Sequence, residues 1–305
     1  MTKSKATVAL PTWKNKGILW LPLEGLARQK TSYPWELVIM ECEDDSTDII
    51  NSYRDKLLKA GCKDIVYINS PYRVPLAVKW KMMSEAASGN VFLLQASDDY
   101  HSEDRIERTM KAFEDGAEWY QVRYHYHWSF KYRKLIKFDM LTKQGWKATG
   151  FNMAALTKDI RNVPETNQGN GIDFFLFSNI KPSKVVTDEV DPKGGVATDG
   201  MNTISVNRYN YYLNTKPPFH PTDKGIFDIG LPKTIADKIH RVAADEQMVN
   251  GIKLTGKIVS AVFTRGYKGR RAGHEYFVDE AVKKYLQYRG VIAKEDKGVT
   301  TKTKL

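Results

Sequence analysis

The chain has 305 residues, 42% of them hydrophobic, enough for one large domain or two smaller ones around a substantial core. No apolar run approaches the ~20 residues that span a bilayer, Met1–Lys16 lacks a signal-type apolar core, and the two cysteines, Cys42 and Cys62, make neither a disulfide framework nor a zinc cluster; these features point to a cytoplasmic protein. The net charge of +11 is concentrated late, with 13 Lys and Arg against 5 Asp and Glu from Gly251 to Leu305, which suits a polyanionic partner, nucleic acid or an acidic membrane surface, as well as plain solubility.

Ala6–Leu10 alternates, ends at Pro11 and reads as a first strand. Gly17–Arg28 carries Ile18, Leu21, Leu23 and Leu26 at rough helical spacing. Trp35–Met40 is a second strand, and Ser46 caps a helix whose inner face runs through Ile49, Ile50, Tyr53 and Leu57. Asp64–Ile68 is a third strand, Leu76–Ser88 a helix closed by Gly89, and Val91–Ala96 a nearly all-apolar fourth strand. Ser102 then caps a helix striped by Ile106, Met110 and Phe113, which ends at Gly116.

Four strand–helix alternations in about 115 residues predict a parallel sheet with helices on both faces. Ligands of such sheets bind beyond the carboxyl ends of the strands. Two acidic groups fall there: Glu41-Cys42-Glu43-Asp44-Asp45 after the second strand, and Asp98-Asp99 after the fourth. Adjacent carboxylates at the end of a buried strand repel each other and resist burial, so a divalent cation is an obvious partner for Asp98 and Asp99. A solvated turn leading into the Ser102 helix is the plainer alternative. Neither GxGxxG nor GxxxxGK[ST] is present, which argues against a dinucleotide site and a P-loop.

After Gly116 the pattern changes. Trp119–Phe138 is dense in aromatic and basic residues, including Trp119, Tyr120, Arg123, Tyr124, Tyr126, Trp128, Lys131, Tyr132 and Arg133. His125 and His127 share a face if this is a strand, where aromatic packing outweighs a metal pair. Phe151–Leu156 is a second apolar region, Phe174–Asn179 reads as a helix, Asp191–Gly200 as a glycine-rich loop, Lys216–Pro221 as a proline-rich boundary, and Thr300–Leu305 as a disordered tail.

Three segments, in this order, resemble the family 2 glycosyltransferases. "ELVIMECEDDSTD" (Glu36–Asp48) is similar to the family's strand ending in Asp-Asp before Ser-Thr-Asp. "LAVKWKMMSEAASGNVFLLQASDDYHSEDRI" (Leu76–Ile106) is similar to its helix, Ala-x-Gly turn, strand, Asp-x-Asp and following helix. "GNGIDFFLF" (Gly169–Phe177) resembles the late Glu-Asp segment, and "ALPTWKN" (Ala9–Asn15), with Thr12 as a donor contact, fits the opening strand.

The resemblance implies an α/β protein of the GT-A type, a mostly parallel Rossmann-like sheet with helices on both faces, over residues 1–215, followed by a basic C-terminal extension over residues 216–305. It implies a metal-dependent, inverting transferase that moves a sugar from a nucleotide-sugar donor, most often a UDP-sugar, to an acceptor hydroxyl. Asp99 would hold Mn²⁺ or Mg²⁺, with Asp98 on the donor ribose or the metal shell. An acid after the second strand would read the base. The segment is two residues longer than the family pattern, so Glu41, Glu43 and Asp44 all qualify, with Asp44 favoured. Lys79 would help the donor phosphate, while Lys81 reads as a solvated helix lysine. Asp173 would be the general base, although Ile172 replaces the preceding Glu, and an N-cap role there is equally ordinary. Asp199, Asn202 and His220 are further metal candidates from a late loop.

The acceptor stays open between a glycan and a hydroxylated base in DNA. The basic late region leaves room for peripheral contact with a membrane. A reading of another class, a nucleic-acid-binding protein on a degenerate transferase scaffold, is motivated by Ile172 and the irregular Glu41–Asp45 segment.

Overall fold

The computed structural model describes residues 5–129, 134–139, 152–166, 171–189, 195–198, 219–222, 224–245, 248–249, 252–253, 258–262 and 275–279. Two compact units are present, residues 1–236 and 237–305.

The first unit opens with the expected alternation: β1 (Ala6–Trp13), α1 (Trp20–Leu26), β2 (Trp35–Cys42), α2 (Thr47–Lys59), β3 (Cys62–Ser70), α3 (Leu76–Ala86), β4 (Val91–Leu94) and α4 (Arg105–Glu114). It continues with β5 (Trp119–Val122), β6 (Tyr124–Ser129), β7 (Lys134–Asp139), β8 (Met153–Leu156), α5 (Thr157–Asn162), α6 (Ile172–Ile180), β9 (Val185–Asp188), β10 (Val196–Thr198) and β11 (Phe219–Pro221). Helix α7 (Lys233–Asp245) follows. Among its described residues the second unit holds two antiparallel pairs, β12 (Met248–Val249) with β13 (Ile252–Lys253) and β14 (Ile258–Val262) with β15 (Glu275–Asp279).

The main sheet has the order β3-β2-β1-β4-β8-β5-β9. Strands β3, β2, β1 and β4 are parallel, β8 runs antiparallel to both β4 and β5, and β9 is parallel to β5. The expected mostly parallel sheet is therefore present. Both of its faces are buried, which is why the strands read as near-continuous apolar runs. One face carries Ala9, Val38, Met40, Phe92 and Leu94, packed with Trp80 and Met83 of α3, Ile160 of α5, and Ile172 and Leu176 of α6. The alternate residues Val8, Leu10, Leu37, Ile39 and Leu93 are equally buried on the other face. Helices α1 and α4 are joined through Gln29, which donates to the Ser102 carbonyl and accepts from the Ile106 amide.

Strand β1 runs two residues beyond the Pro11 stop expected from sequence. Its ladder with β4 ends at Ala9↔Leu94, and Ala9 points towards β4 because its carbonyl accepts from the Gln95 amide. Pro11 points to the same side, beyond the last partner, so its missing N–H leaves no ladder bond unmade.

A second sheet has the order β10-β6-β7-β11. It corrects one expectation. Within the glycine-rich stretch Val196–Thr198 is strand, held by parallel pairing to Tyr126–Trp128 and by reciprocal bonds between Tyr100 and Val196. Within the proline-rich stretch Phe219–Pro221 is an edge strand on β7, a position that tolerates proline. The helix expected to start at Ser102 starts at Arg105 with Asp104 at its cap; the Ser102 hydroxyl donates to the Asp104 carboxylate instead.

Candidate functional site

Strands β1 and β4 are neighbours, yet the chain leaves β1 towards β2 on one side and reaches β4 from β3 on the other. This is the switch point at which a crevice opens beyond the strand ends. Thr12 and Asn15 line it from β1. Both are buried, and the Thr12 hydroxyl and the Asn15 side-chain carbonyl have no hydrogen-bond partner. Buried polar atoms are rarely left so, and here they fit a site built for a polar ligand. Asn15 also donates from Nδ2 to Ser97 Oγ at 2.8 Å, tying the β1 loop to the β4 loop. Its main-chain carbonyl accepts from Ile18 and Leu19 ahead of α1.

Lys79 is buried on α3 and donates to the Thr12 carbonyl at 2.5 Å. Burial lowers its pKa, opposed by Cys42 and Glu41 nearby. The charge expected near the donor thus lies at the ends of β1 and β2. Lys81 faces solvent and pairs loosely with Glu165, as its bland reading had it.

The acids after β2 divide sharply. Glu41 is fully buried and accepts from the Ser46 amide, the Ser46 hydroxyl and the Tyr67 hydroxyl at 2.6–2.8 Å. Asp45 accepts from the Thr47 amide and hydroxyl, and so serves the start of α2. Glu43 is exposed just beyond β2 with φ +56°. It accepts from Trp13 Nε1 at 2.7 Å and pairs with Lys14 at 3.2 Å, and these two partners lower its pKa. Asp44 is half-buried; its carboxylate accepts from the Asp45 amide and its carbonyl from Asn69.

Asp98 and Asp99 lie buried at the end of β4, 5% and 6% exposed. Thr198 closes over them from β10: its hydroxyl donates to the Asp98 carbonyl at 2.6 Å and its amide to the Asp99 carboxylate at 3.3 Å. Burial pushes the Asp99 carboxyl up to about 7, against the pull of the Thr198 amide and of Arg105. A carboxylate so placed is short of positive charge. Two adjacent carboxylates supply hard oxygen donors of the kind Mg²⁺ and Mn²⁺ take alongside substrate phosphate and water, so the pair fits a divalent cation. Among the described residues no group of three or more His, Cys, Asp or Glu side chains gathers to complete an all-protein cage.

Arg105, at the start of α4, is wholly buried behind this loop. It donates to the Asn152 side-chain carbonyl at 2.6 Å, the Leu94 carbonyl at 2.6 Å and the Gln95 side-chain carbonyl. Burial pulls its pKa down to about 9, partly offset by Asp99, and it stays charged at neutral pH.

Asp173 occupies the first turn of α6, half-buried, while Gly171 with φ +67° takes the N-cap position. The alternative of an N-cap aspartate is thereby corrected: the left-handed glycine makes that turn. His125 and His127 are buried on β6, with Phe138 stacked on the first at 4.6 Å and tilted to the second at 5.8 Å. Burial and its neighbour lower His125 to about 3, so that ring is packed and neutral. His220 lies on β11 opposite Lys137. Asp199, Asn202, Asn167–Asn170, Lys131–Arg133 and Thr300–Leu305 lie outside the described residues.

Three residues of this site, Arg73, Arg105 and Thr198, escaped the sequence reading. Arg73, just beyond β3, lays its guanidinium over the Trp13 ring at 3.9 Å, making with Glu43 an aromatic, cationic and anionic cluster. Its only sequence signal was a Trp in a strand-end loop. Nothing local in the sequence sets Arg105 apart from the other charges of an amphipathic helix. Of the four non-glycine residues with left-handed φ among those described, Lys14, Glu43 and Asn152 belong to this region, the kind of clustering found around functional sites.

Residues 7–177 match the family model described as Glycosyl transferase family 2. The sequence matches no curated protein. Among solved structures, S. aureus TarS is 14% identical with a TM-score of 0.49, covering 80% of this chain and 43% of that one, so the chain spans less than half of full-length TarS. The mannosyltransferase PcManGT from Pyrobaculum calidifontis, in complex with GDP-Man and Mn²⁺, is 13% identical with a TM-score of 0.45, covering 80% and 75%. Glucosyl-3-phosphoglycerate synthase from Mycobacterium tuberculosis, in complex with Mn²⁺, UDP and phosphoglyceric acid, is 12% identical with a TM-score of 0.41, covering 61% and 68%. With more than half of its length under the family model, the chain belongs to glycosyl transferase family 2.

Proposed function

We propose that the chain transfers a sugar from a nucleotide-sugar donor, a UDP-sugar first among the candidates, to an acceptor hydroxyl with inversion at the anomeric carbon. The observation that carries this reading is the buried Asp98-Asp99 pair at the end of β4 together with the unpartnered Thr12 and Asn15 oxygens at the end of its neighbour β1. In this reading Glu43 and Asp44 would accept from the base, beside the Trp13 and Arg73 planes on which a base can stack. Lys79 adds positive potential at the strand ends. Asp99, with Asp98, would hold Mn²⁺ or Mg²⁺, whose chemistry there is to neutralise charge on the leaving diphosphate. Asp173 takes the proton of the acceptor hydroxyl as that oxygen attacks from the face opposite the diphosphate.

The acceptor is a glycan or a hydroxylated base in DNA, and the salt dependence of duplex binding separates them. Neutralising phosphates releases counterions, so a DNA acceptor requires binding that falls steeply with salt. No helix among the described residues is long and apolar enough to cross a membrane.

The decisive experiment is thermal stability against a panel of nucleotide sugars with and without Mn²⁺. A ligand that binds only the folded state must stabilise it. A rise that needs both Mn²⁺ and one particular donor supports the reading and names the donor. No rise with any donor would sink it.

A further inference from the structure

We propose that Arg105 is the positioning residue that holds the Gln95–Asp99 loop in the shape that presents Asp98 and Asp99 to donor and cation; this rests on the donor-site reading above. A wholly buried guanidinium is an expensive way to fill space, because removing it from water costs several kcal/mol unless it is fully bonded. Here its fork holds two separate pieces of chain, the end of β4 and the approach to β8. Nη2 donates to Leu94, the last residue of β4, and Nε donates to Asn152, which precedes β8 with φ +54°. Nη1 donates to the side chain of Gln95, the first residue of the loop.

Gln95 passes the constraint on. Its Nε2 donates to the carbonyls of Ala96 at 2.9 Å and Asp99 at 3.0 Å, so one side chain pins both ends of the turn that carries the acids. The other sides of the loop are held separately, by Asn15 on Ser97 and by Thr198 on Asp98 and Asp99. Arg105, Gln95 and Asn152 are all buried, so water cannot replace the fork. A lysine keeps the charge but cannot reach three acceptors from one plane.

The test compares wild type, Arg105→Lys and Gln95→Glu. Binding of Mn²⁺ is followed by loss of the free-ion electron paramagnetic resonance signal, in the presence of UDP or GDP, whichever the wild type binds more tightly. Unfolding of each protein without ligand is measured alongside. Gln95→Glu keeps a partner for Arg105 and adds a negative charge, but turns a carboxylate oxygen towards two carbonyls. Charge alone would make it bind Mn²⁺ more tightly; lost positioning makes it bind more weakly. The expected result is affinity weakened about tenfold or more in both variants, the scale on which groups behind a metal site act. Arg105→Lys should also lose stability, while Gln95→Glu remains folded. Wild-type affinity in either folded variant, or tighter binding by Gln95→Glu, overturns the inference alone. A wild type that binds no Mn²⁺ with either nucleotide overturns the donor-site reading and this inference with it.

Discussion

Ser46 gives Glu41 two donors, its amide and its hydroxyl, each at 2.8 Å, and Tyr67 adds a third at 2.6 Å. That acid, near the end of β2, is therefore occupied inside the fold, joining β2, β3 and the start of α2, while Glu43 is exposed and Asp44 half-buried beyond the strand end. Glu41→Gln should lower the free energy of unfolding by about 1–3 kcal/mol, since the replacement leaves a buried donor facing donors. Glu43→Gln and Asp44→Asn should change stability by less than about 0.5 kcal/mol, as surface substitutions do, yet weaken nucleotide binding. Urea denaturation and calorimetric titration separate the two effects.

Asp99 shows the opposite balance. Its carboxyl is raised to about 7 by burial, so at neutral pH and without a cation its charge opposes folding. Asp99→Asn should unfold at a higher temperature than wild type when no metal is present, and lose the Mn²⁺-dependent stabilisation by nucleotide. A melt with and without Mn²⁺ checks both signs in one experiment.

Asp173→Asn should slow transfer by about 10²-fold or more, the usual worth of a general base, while donor affinity stays at the wild-type value. Turnover at saturating donor is the measurement. An unchanged rate would remove Asp173 from the chemistry and leave it a first-turn residue of α6.

At the other end of the sheet Glu36 is buried among Lys5, Thr7, Ser88 and the Gly89 amide. Burial alone would raise its pKa, but these donors outweigh it and hold the carboxyl at about 2, below the ordinary 4.5. A depressed folded pKa means stability that is present above about 4.5 and lost as pH falls towards about 2, worth up to about 3 kcal/mol. Glu36→Gln should flatten that part of the stability–pH curve, measured by urea midpoints between pH 5 and pH 2.

Gly89 sits against the same network. A Cβ there would meet Thr7 Oγ1 at 2.6 Å and the main chain of Lys5 and Ala6 at 2.7 and 2.8 Å. Gly89→Ala should destabilise by about 1–3 kcal/mol, because the obstacle is backbone in the middle of a packed sheet. A lowered urea midpoint with unchanged nucleotide specificity is the expected outcome.

The βα alternation, and with it the sheet type and the crevice, was legible in the residues themselves. Apolar runs of strand length, helical stripes such as Ile50, Tyr53 and Leu57, and the turn at Gly116 are local signals that need no distant partner. The acid pair at Asp98-Asp99 was legible for the same reason, since two charges closing an apolar run declare a strand end. The choice among Glu41, Glu43 and Asp44 was not, because Ser46 and Tyr67 take Glu41 only once β2 and β3 lie side by side. Nor were the roles of Arg105, which reaches Asn152 from 47 residues away, and of Thr198, which covers Asp99 from 99 residues away. The strand at Val196–Thr198 was hidden too, because its partners are Tyr100 and β6. Periodicity along the chain determined the architecture by itself. Which polar groups are consumed by the fold, and which remain for a ligand, was decided by tertiary structure, because a buried donor or acceptor must find its partner wherever the folded chain provides one.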